Sequence, residues 1–367
     1  MRLRYRILSG IGLVVLALLG TLALVLSHHS ACPATAPPAG GEEFMQSIIY
    51  RCYGSPDVLK LENVAKPVPT KNEVLVKVYA SSINPLDWHY LRGSPYFMRL
   101  STGIGASSDE RMGVDFAGTV EAVGGAVSLF KPGDQVFGGA AGAFSEYVVV
   151  REDHALTLKP QNVSFQQAAA VPIAGLSALQ ALRDEGNVAA GERVLINGAS
   201  GGVGSFAVQI AKSYGAEVTG VCSTRNMQLV RSLGADHVID YTRQDFTKGE
   251  EKYDLIIDNV GNHSPLAISN VLKTDGVLVM VGGPGGNWLG PLIRPLQSVF
   301  IAPFIDQEIK LLMARMRADD LTVLADLMAT GKLSSLIDRR YPLAEVPAAI
   351  RYSEEGRARG KIIVDVK

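Results

Sequence analysis

The sequence predicts an α/β protein built from a doubly wound parallel sheet of the Rossmann type, a mainly β domain, and an N-terminal transmembrane helix. Three observations carry this. An apolar strand at 193–197 runs into Gly198, Gly201, Gly202 and Gly204, and Val203, Phe206, Ala207, Ile210 and Ala211 then recur at helical spacing. From about Ser164 onward, short apolar strands alternate with helical stretches, as a parallel sheet requires. Residues 7–27 carry no charge and follow a basic start at Arg2, Arg4 and Arg6.

At the N-terminus, those 21 uncharged residues would rise about 31 Å as a helix, enough to cross a bilayer core. The first reading is an uncleaved single-pass anchor over residues 1–29. A secretory signal cleaved near Ala34-Thr35-Ala36 and a buried core helix are the alternatives. The next basic residue is Arg51, so the positive-inside rule holds the N-terminus in the cytoplasm and puts the body outside, where NADPH is scarce. The side of the membrane therefore stays open. Residues 30–44 read as a Pro/Gly-rich linker.

The body divides into a first, mainly β part at 45–167, a dinucleotide-binding part at 168–304, and helices at 305–367 that return to the first part. Strands are expected at 193–197, 217–222, 237–240, 255–258, 277–281 and 361–366, and helical stretches at 306–316 and 319–329. The apolar run 299–304 reads as an exposed sheet edge that a homodimer would cover, as an ordinary buried strand, or as a segment resting on the membrane. A chain of 367 residues and net charge -1, without a basic block, argues against nucleic acid as a partner. Cys32, Cys52 and Cys222 form no CxxC pair and the six histidines lack ligand spacing, so neither a disulfide framework nor a metal site is expected.

The glycine turn suits a dinucleotide pyrophosphate. Without Cβ atoms the backbone can approach the phosphates, and free N–H groups at a helix start stabilise the anion. About twenty residues on, where an NAD site carries an acid for the ribose 2′-hydroxyl, the sequence has Ser223 and Arg225. A guanidinium there pairs with a 2′-phosphate, which points to NADPH; the plainer reading is a solvated helix residue. The other polar concentration is the loop at 80–96, with Asn84, Asp87, Trp88, His89 and Tyr96. It suits a small carbonyl substrate that must be oriented and protonated. Asn84 and Asp87 would equally serve to cap a turn or helix, and Tyr96 to pack.

These pieces resemble the medium-chain dehydrogenase/reductase superfamily in its zinc-independent quinone oxidoreductase branch. The likeness covers 45–367. It rests on Tyr53-Gly54-Ser55-Pro56-Asp57-Val58-Leu59, Asn84-Pro85-Leu86-Asp87, Gly113-Val114-Asp115-Phe116-Ala117-Gly118, Ala168-Ala169-Ala170-Val171-Pro172 and the turn from Gly198 to Gly204, with Gly360-Lys361 near the end. The resemblance implies a GroES-like catalytic domain beside the nucleotide-binding one. Zinc members of the superfamily have cysteine where Asn84 stands and Gly-His-Glu where Gly113-Val114-Asp115 stands, so hydride transfer without metal is implied. It further implies a nicotinamide facing Asn84 and Tyr96, with Ser177 on the same side and Tyr96 or water delivering the proton. Ser200, Gly202 and Val203 would cradle the pyrophosphate, and Ser223, Arg225 and Tyr241 the adenosine 2′-phosphate. Asn259 and Gly282 would follow strands at the cofactor edge; Lys361 would either reach the cofactor or stay solvated.

The expected function is reduction of a quinone or α,β-unsaturated carbonyl by NADPH. A membrane-tethered, catalytically weak NADP(H)-binding sensor or scaffold is the alternative. A short-chain reductase is disfavoured, because no Tyr-x-x-x-Lys pair occurs.

Overall fold

The computed structural model describes residues 2–33, 43–283, 285–288 and 290–367, with side chains from Leu13 onward. Six parallel strands form one sheet. Across it they run His237–Asp240, Glu217–Cys222, Arg193–Asn197, Tyr253–Asp258, Leu272–Met280 and Glu308–Leu311. The chain winds outward from Arg193–Asn197 in one direction, returns, and winds outward in the other. A crevice therefore opens at the carboxyl ends of Arg193–Asn197 and Tyr253–Asp258, where ligands of such sheets sit. Helices cover both faces, so the central strands are apolar without alternation: Val194, Leu195, Ile196, Ile256 and Ile257 are all buried.

The second sheet joins Ile337–Pro342, Lys361–Asp365, Glu73–Ile83, Asp115–Val123, Gln135–Gly139 and Leu156–Leu158, with Tyr147–Arg151 also on Glu73–Ile83. All its pairs are antiparallel except that of Ile337–Pro342 with Lys361–Asp365. The terminal strand thus pairs Ile362 with Ile83 and brings Lys361 to the end of Glu73–Ile83, beside Asn84.

Four expectations are corrected. The stretch 306–316 is not helical. Glu308–Leu311 is the outermost parallel strand, because the free ladder of Leu272–Met280 offers it partners that local helix propensity does not outweigh. The run 299–304 is no sheet edge: it ends the helix Gly290–Ile301 and continues as the 3₁₀ turn Ala302–Phe304. Arg294 and Ser298, four residues apart, turn inward, and Val299, Phe300 and Phe304 are exposed.

A helix does form over Arg2–Ser27, and its side chains before Leu13 lie outside those described. Among the described residues no helix is long and apolar enough to cross a membrane, so the anchor at 7–27 is not supported. The end of the helix docks on the body instead: Leu26 is buried, and Arg99 donates to the carbonyls of Leu26 and His28. The proposed cleavage site at 34–36 lies outside the described residues.

Cys32 and Cys52, expected to be unpaired, form a disulfide with Cα atoms 5.0 Å apart. Residues 28–32 lie against the body, with Ser30 N–H on the Gly105 carbonyl, which brings together cysteines that sequence spacing leaves apart. Cys222 is free and buried, its thiol pushed up to about 11 by burial.

Arg294 meets Asp258 in a buried ion pair at 2.5 Å. Asp258 also accepts from Asn197 Nδ2 and from the backbone N–H of Gly261, fixing the loop that leaves its strand. Removing one partner of such a pair leaves a buried, uncompensated charge. Arg294→Ala should therefore lower unfolding free energy by roughly 3–5 kcal/mol, read as a fall in the urea midpoint.

Candidate active site

The crevice is a cleft of about 970 Å³ between the two sheets, room for a dinucleotide. The strand Arg193–Asn197 feeds the glycine turn, and the helix Gly202–Ser213 leaves it with its N-terminus toward the cleft. Gly198 has φ +81°, a conformation that L side chains rarely adopt. A Cβ on Gly204 would lie 2.1 Å from the Gly198 carbonyl oxygen, so helix and strand approach too closely for a side chain there. Ser200, Gly201, Gly202 and Val203 line the cleft with them.

Ser223, Arg225 and Tyr241 line the same cleft beyond the next strand. Arg225 reaches across and donates to the Arg357 carbonyl at 3.0 Å. Asn226 donates to Ser200 Oγ and Ser223 Oγ, tying the glycine turn to this end. Its Oδ1 and that of Asn259 are buried without partners, while both residues line the cleft. Asp240 stands close by, occupied by Thr224 and Thr242; the Thr224 hydroxyl above all holds its carboxyl below the usual range.

At the other end of the cleft a buried polar cluster joins the two sheets. Asp115 is fully buried. Its Oδ2 accepts from Ser82 Oγ and Asn84 Nδ2, both at 2.9 Å, and its Oδ1 from the Ile173 backbone N–H at 3.0 Å. Lys361 Nζ donates to Asn84 Oδ1 at 2.5 Å and lies 3.5 Å from Asp115. Burial lowers the Lys361 pKa, against the opposing pull of Asp115 and Asp87. Gly360 N–H donates to the Ser200 carbonyl, so the terminal strand is seated on the glycine turn. Among the described residues no three His, Cys, Asp or Glu side chains are grouped to hold a metal.

The other expected residues divide. Asn84, Asn259 and Lys361 line the cleft; Asp87, Tyr96, Ser177 and Gly282 do not. Asn84 caps the helix Pro85–Arg92, and Asp87 Oδ2 accepts its backbone N–H at 2.7 Å, so the capping role holds for this pair. Asp87 faces a separate cavity of about 230 Å³ with Tyr50, Tyr90 and Val114. Ser177 hydroxyl bonds the Ile173 carbonyl one turn back. Gly282 is a packing glycine: a Cβ would lie 2.1 Å from the Asn259 carbonyl oxygen. Tyr96, expected beside Asn84, is drawn to the loop after Leu272–Met280, with its N–H on the Asn287 carbonyl and Trp288 against its ring at 4.8 Å. Sequence reasoning missed Asp115 as an organiser, read there only as a lost zinc ligand, and Asn226. A carboxylate heading the apolar run Phe116-Ala117 was the available signal.

Residues 70–161 match the family model described as alcohol dehydrogenase GroES-like domain, and 233–364 that described as zinc-binding dehydrogenase. The chain is 35% identical to the chloroplast envelope quinone oxidoreductase homolog of Arabidopsis thaliana, over 88% of this chain and 99% of that one. It is 33% identical to the chloroplastic NADPH-dependent alkenal/one oxidoreductase of the same plant, over 92% and 83%. The solved quinone oxidoreductase from Coxiella burnetii superposes with a TM-score of 0.77 at 32% identity, covering 89% of this chain and all of that one.

Burial raises Asp87 from its ordinary value of 3.8 to about 7, opposed by the hydrogen bond from Asn84. Its Oδ1 has no partner and is the oxygen free to carry the proton. Between about pH 4 and 7 the folded chain thus keeps a proton that the unfolded chain has released, and stability falls as pH rises through that window. Asp87→Asn should flatten this fall, measured as Tm against pH.

Proposed function

Given that the chain belongs to the medium-chain dehydrogenase/reductase superfamily, in its zinc-independent quinone oxidoreductase-like branch, we propose that it reduces a quinone or α,β-unsaturated carbonyl with NADPH and without a metal. The observation that carries this reading is one continuous cleft. Glycine turn, Ser223 and Arg225 stand at one end, and the buried Asn84–Lys361–Asp115 cluster at the other. When bound, the nicotinamide supplies the hydride.

The chain's own residues do the rest. Gly198 to Gly204 and the helix behind them bind the pyrophosphate, and the Arg225 guanidinium with Ser223 and Tyr241 grips the 2′-phosphate. Asn226, tied to Ser200 and Ser223, and Asn259 form the cleft wall along which the riboses would lie. Asn84, held by Asp115 and Lys361, is locked in one amide orientation and fixes the floor against which the reacting ring lies. Where zinc relatives carry Cys and Gly-His-Glu, Asn84 is engaged by Lys361 and Asp115, Val114 has no ligating atom, and Asp115 has both oxygens bonded.

Reduction of a quinone takes up one hydride and one proton. Lys361 Nζ, buried at the cleft wall with its pKa lowered, gives up that proton to the acceptor oxygen more readily than a free lysine would. Solvent restores it.

The test is NADPH oxidation by the full chain with a quinone, an enone and a simple aldehyde, with NADH as control and a chelator present. The expected result is NADPH-dependent turnover of quinone or enone that survives chelation. Arg225→Ala should raise KM for NADPH at least tenfold and leave that for NADH within about twofold, since the lost pairing is with the 2′-phosphate. Because the protonated lysine is the active form, kcat falls as pH rises through its lowered pKa, and Lys361→Met should abolish that limb. Tight NADPH binding without turnover on any acceptor would contradict the reading.

A further inference from the structure

Residues 26–32, the end of the first helix and the stretch after it, are pinned at three points. Arg99, fully buried, donates to the carbonyls of Leu26 and His28 at 2.8 Å each, and its guanidinium lies between the rings of Tyr53 and Tyr96, 4.5 and 4.4 Å from their centroids. Ser30 N–H donates to the Gly105 carbonyl at 3.0 Å. Cys32 is bonded to the buried Cys52. An exposed segment held this firmly presents its side chains in fixed positions.

The side chain so presented is His29. It lines a cavity of about 420 Å³ together with Trp88, His89, Tyr96, Asn287 and Glu354, and its ring meets that of Tyr96 edge-on at 6.4 Å. The helix Pro85–Arg92 links it to the cleft: Pro85 lines the cleft, and Trp88, His89 and Arg92 line this cavity. Asn84 caps the helix Pro85–Arg92, and Trp88 stands four residues along it, a rise of about 6 Å. The imidazoles carry complementary functions. Arg99 Nη2 lies 3.2 Å from His29 Nε2 and can only donate, so Nε2 accepts and the His29 proton stands on Nδ1, free to donate. His89 Nδ1 donates to the Ser94 carbonyl at 2.7 Å, which leaves its Nε2 as an acceptor. A planar quinone fits such walls: aromatic faces for its ring and, for the carbonyl remote from Lys361, one donor for its oxygen and one acceptor for the hydroxyl that reduction creates.

We propose that residues 26–32 are part of the substrate site, with His29 a specificity-determining residue that binds the quinone carbonyl remote from Lys361, held in place by Arg99 and the Cys32–Cys52 disulfide. This rests on the quinone or enone reductase reading. The body from Met45 onward would accordingly be an incomplete enzyme.

The test uses the full chain with its disulfide formed and duroquinone as probe, a quinone with no ring hydrogen to invite thiol addition. The sequence has two tryptophans; Trp88 lines this cavity and Trp288 packs on Tyr96. Quenching of their fluorescence therefore reports quinone binding without any turnover, and NADPH titration reports the folded cleft separately. His29→Ala should raise the duroquinone Kd and KM at least fivefold with NADPH Kd unmoved, and His29→Gln, which keeps a donor, should recover part of the loss. The paired substitution Cys32→Ser with Cys52→Ser should behave like His29→Ala. Quinone binding within twofold of the native chain in His29→Ala overturns the proposal, as does a native chain that duroquinone does not quench. If no acceptor is turned over, the reductase reading fails, while the quenching titration still decides this one.

Discussion

One buried carboxylate fixes the relation of the two sheets. Asp115 begins a strand of the β sheet, accepts from Ser82 and Asn84 on one side, and from the backbone N–H of Ile173, which opens a helix packed on the nucleotide side, on the other. A carboxylate taken fully out of water is costly unless several donors meet it. Here four groups converge, Lys361 at 3.5 Å being the only cation among them. That requirement places Asn84, orients its amide and draws the terminal strand inward. The cleft is a consequence: its hydride end is wherever Asp115 has gathered its donors.

The second anchor follows the same logic. Asp258 at the end of Tyr253–Asp258 and Arg294 on the helix Gly290–Ile301 neutralise one another behind the cleft. Asp258 also binds Asn197 at the end of the neighbouring strand. The carboxyl ends of the two central strands are thereby held together where the winding of the sheet reverses. The glycine turn leaves from that point, and Gly360 closes it from the far side through Ser200. Rigid backing of this kind keeps Asn226 and Asn259 in place at the cleft wall.

Much of this was legible in the residues. The strand, glycine turn and helix could be read because their pattern is local and their physics, close approach without Cβ, is unambiguous. Lys361 and Asn84 were legible only as motif pieces; their contact spans 277 residues of sequence and no periodicity encodes it. Tyr96 was misplaced for the same reason, since its partners Asn287 and Trp288 come from one distant segment and His29 from another. The run 306–316 went wrong because the open edge of a sheet decides a strand more strongly than composition does. The pairing of Cys32 with Cys52 depended on residues 28–32 lying against the body, which spacing alone does not disclose.

The central claim is that Asn84 and Lys361 act as one unit organised by Asp115, and a double-mutant cycle on kcat with Asn84→Ala and Lys361→Met tests it most directly. If the unit exists, the second substitution costs little once the first is made, and the coupling free energy is at least about 1.4 kcal/mol, a tenfold departure from additivity. Losses that simply multiply would mean that the two residues serve the reaction separately, and the buried cluster would then be structural alone.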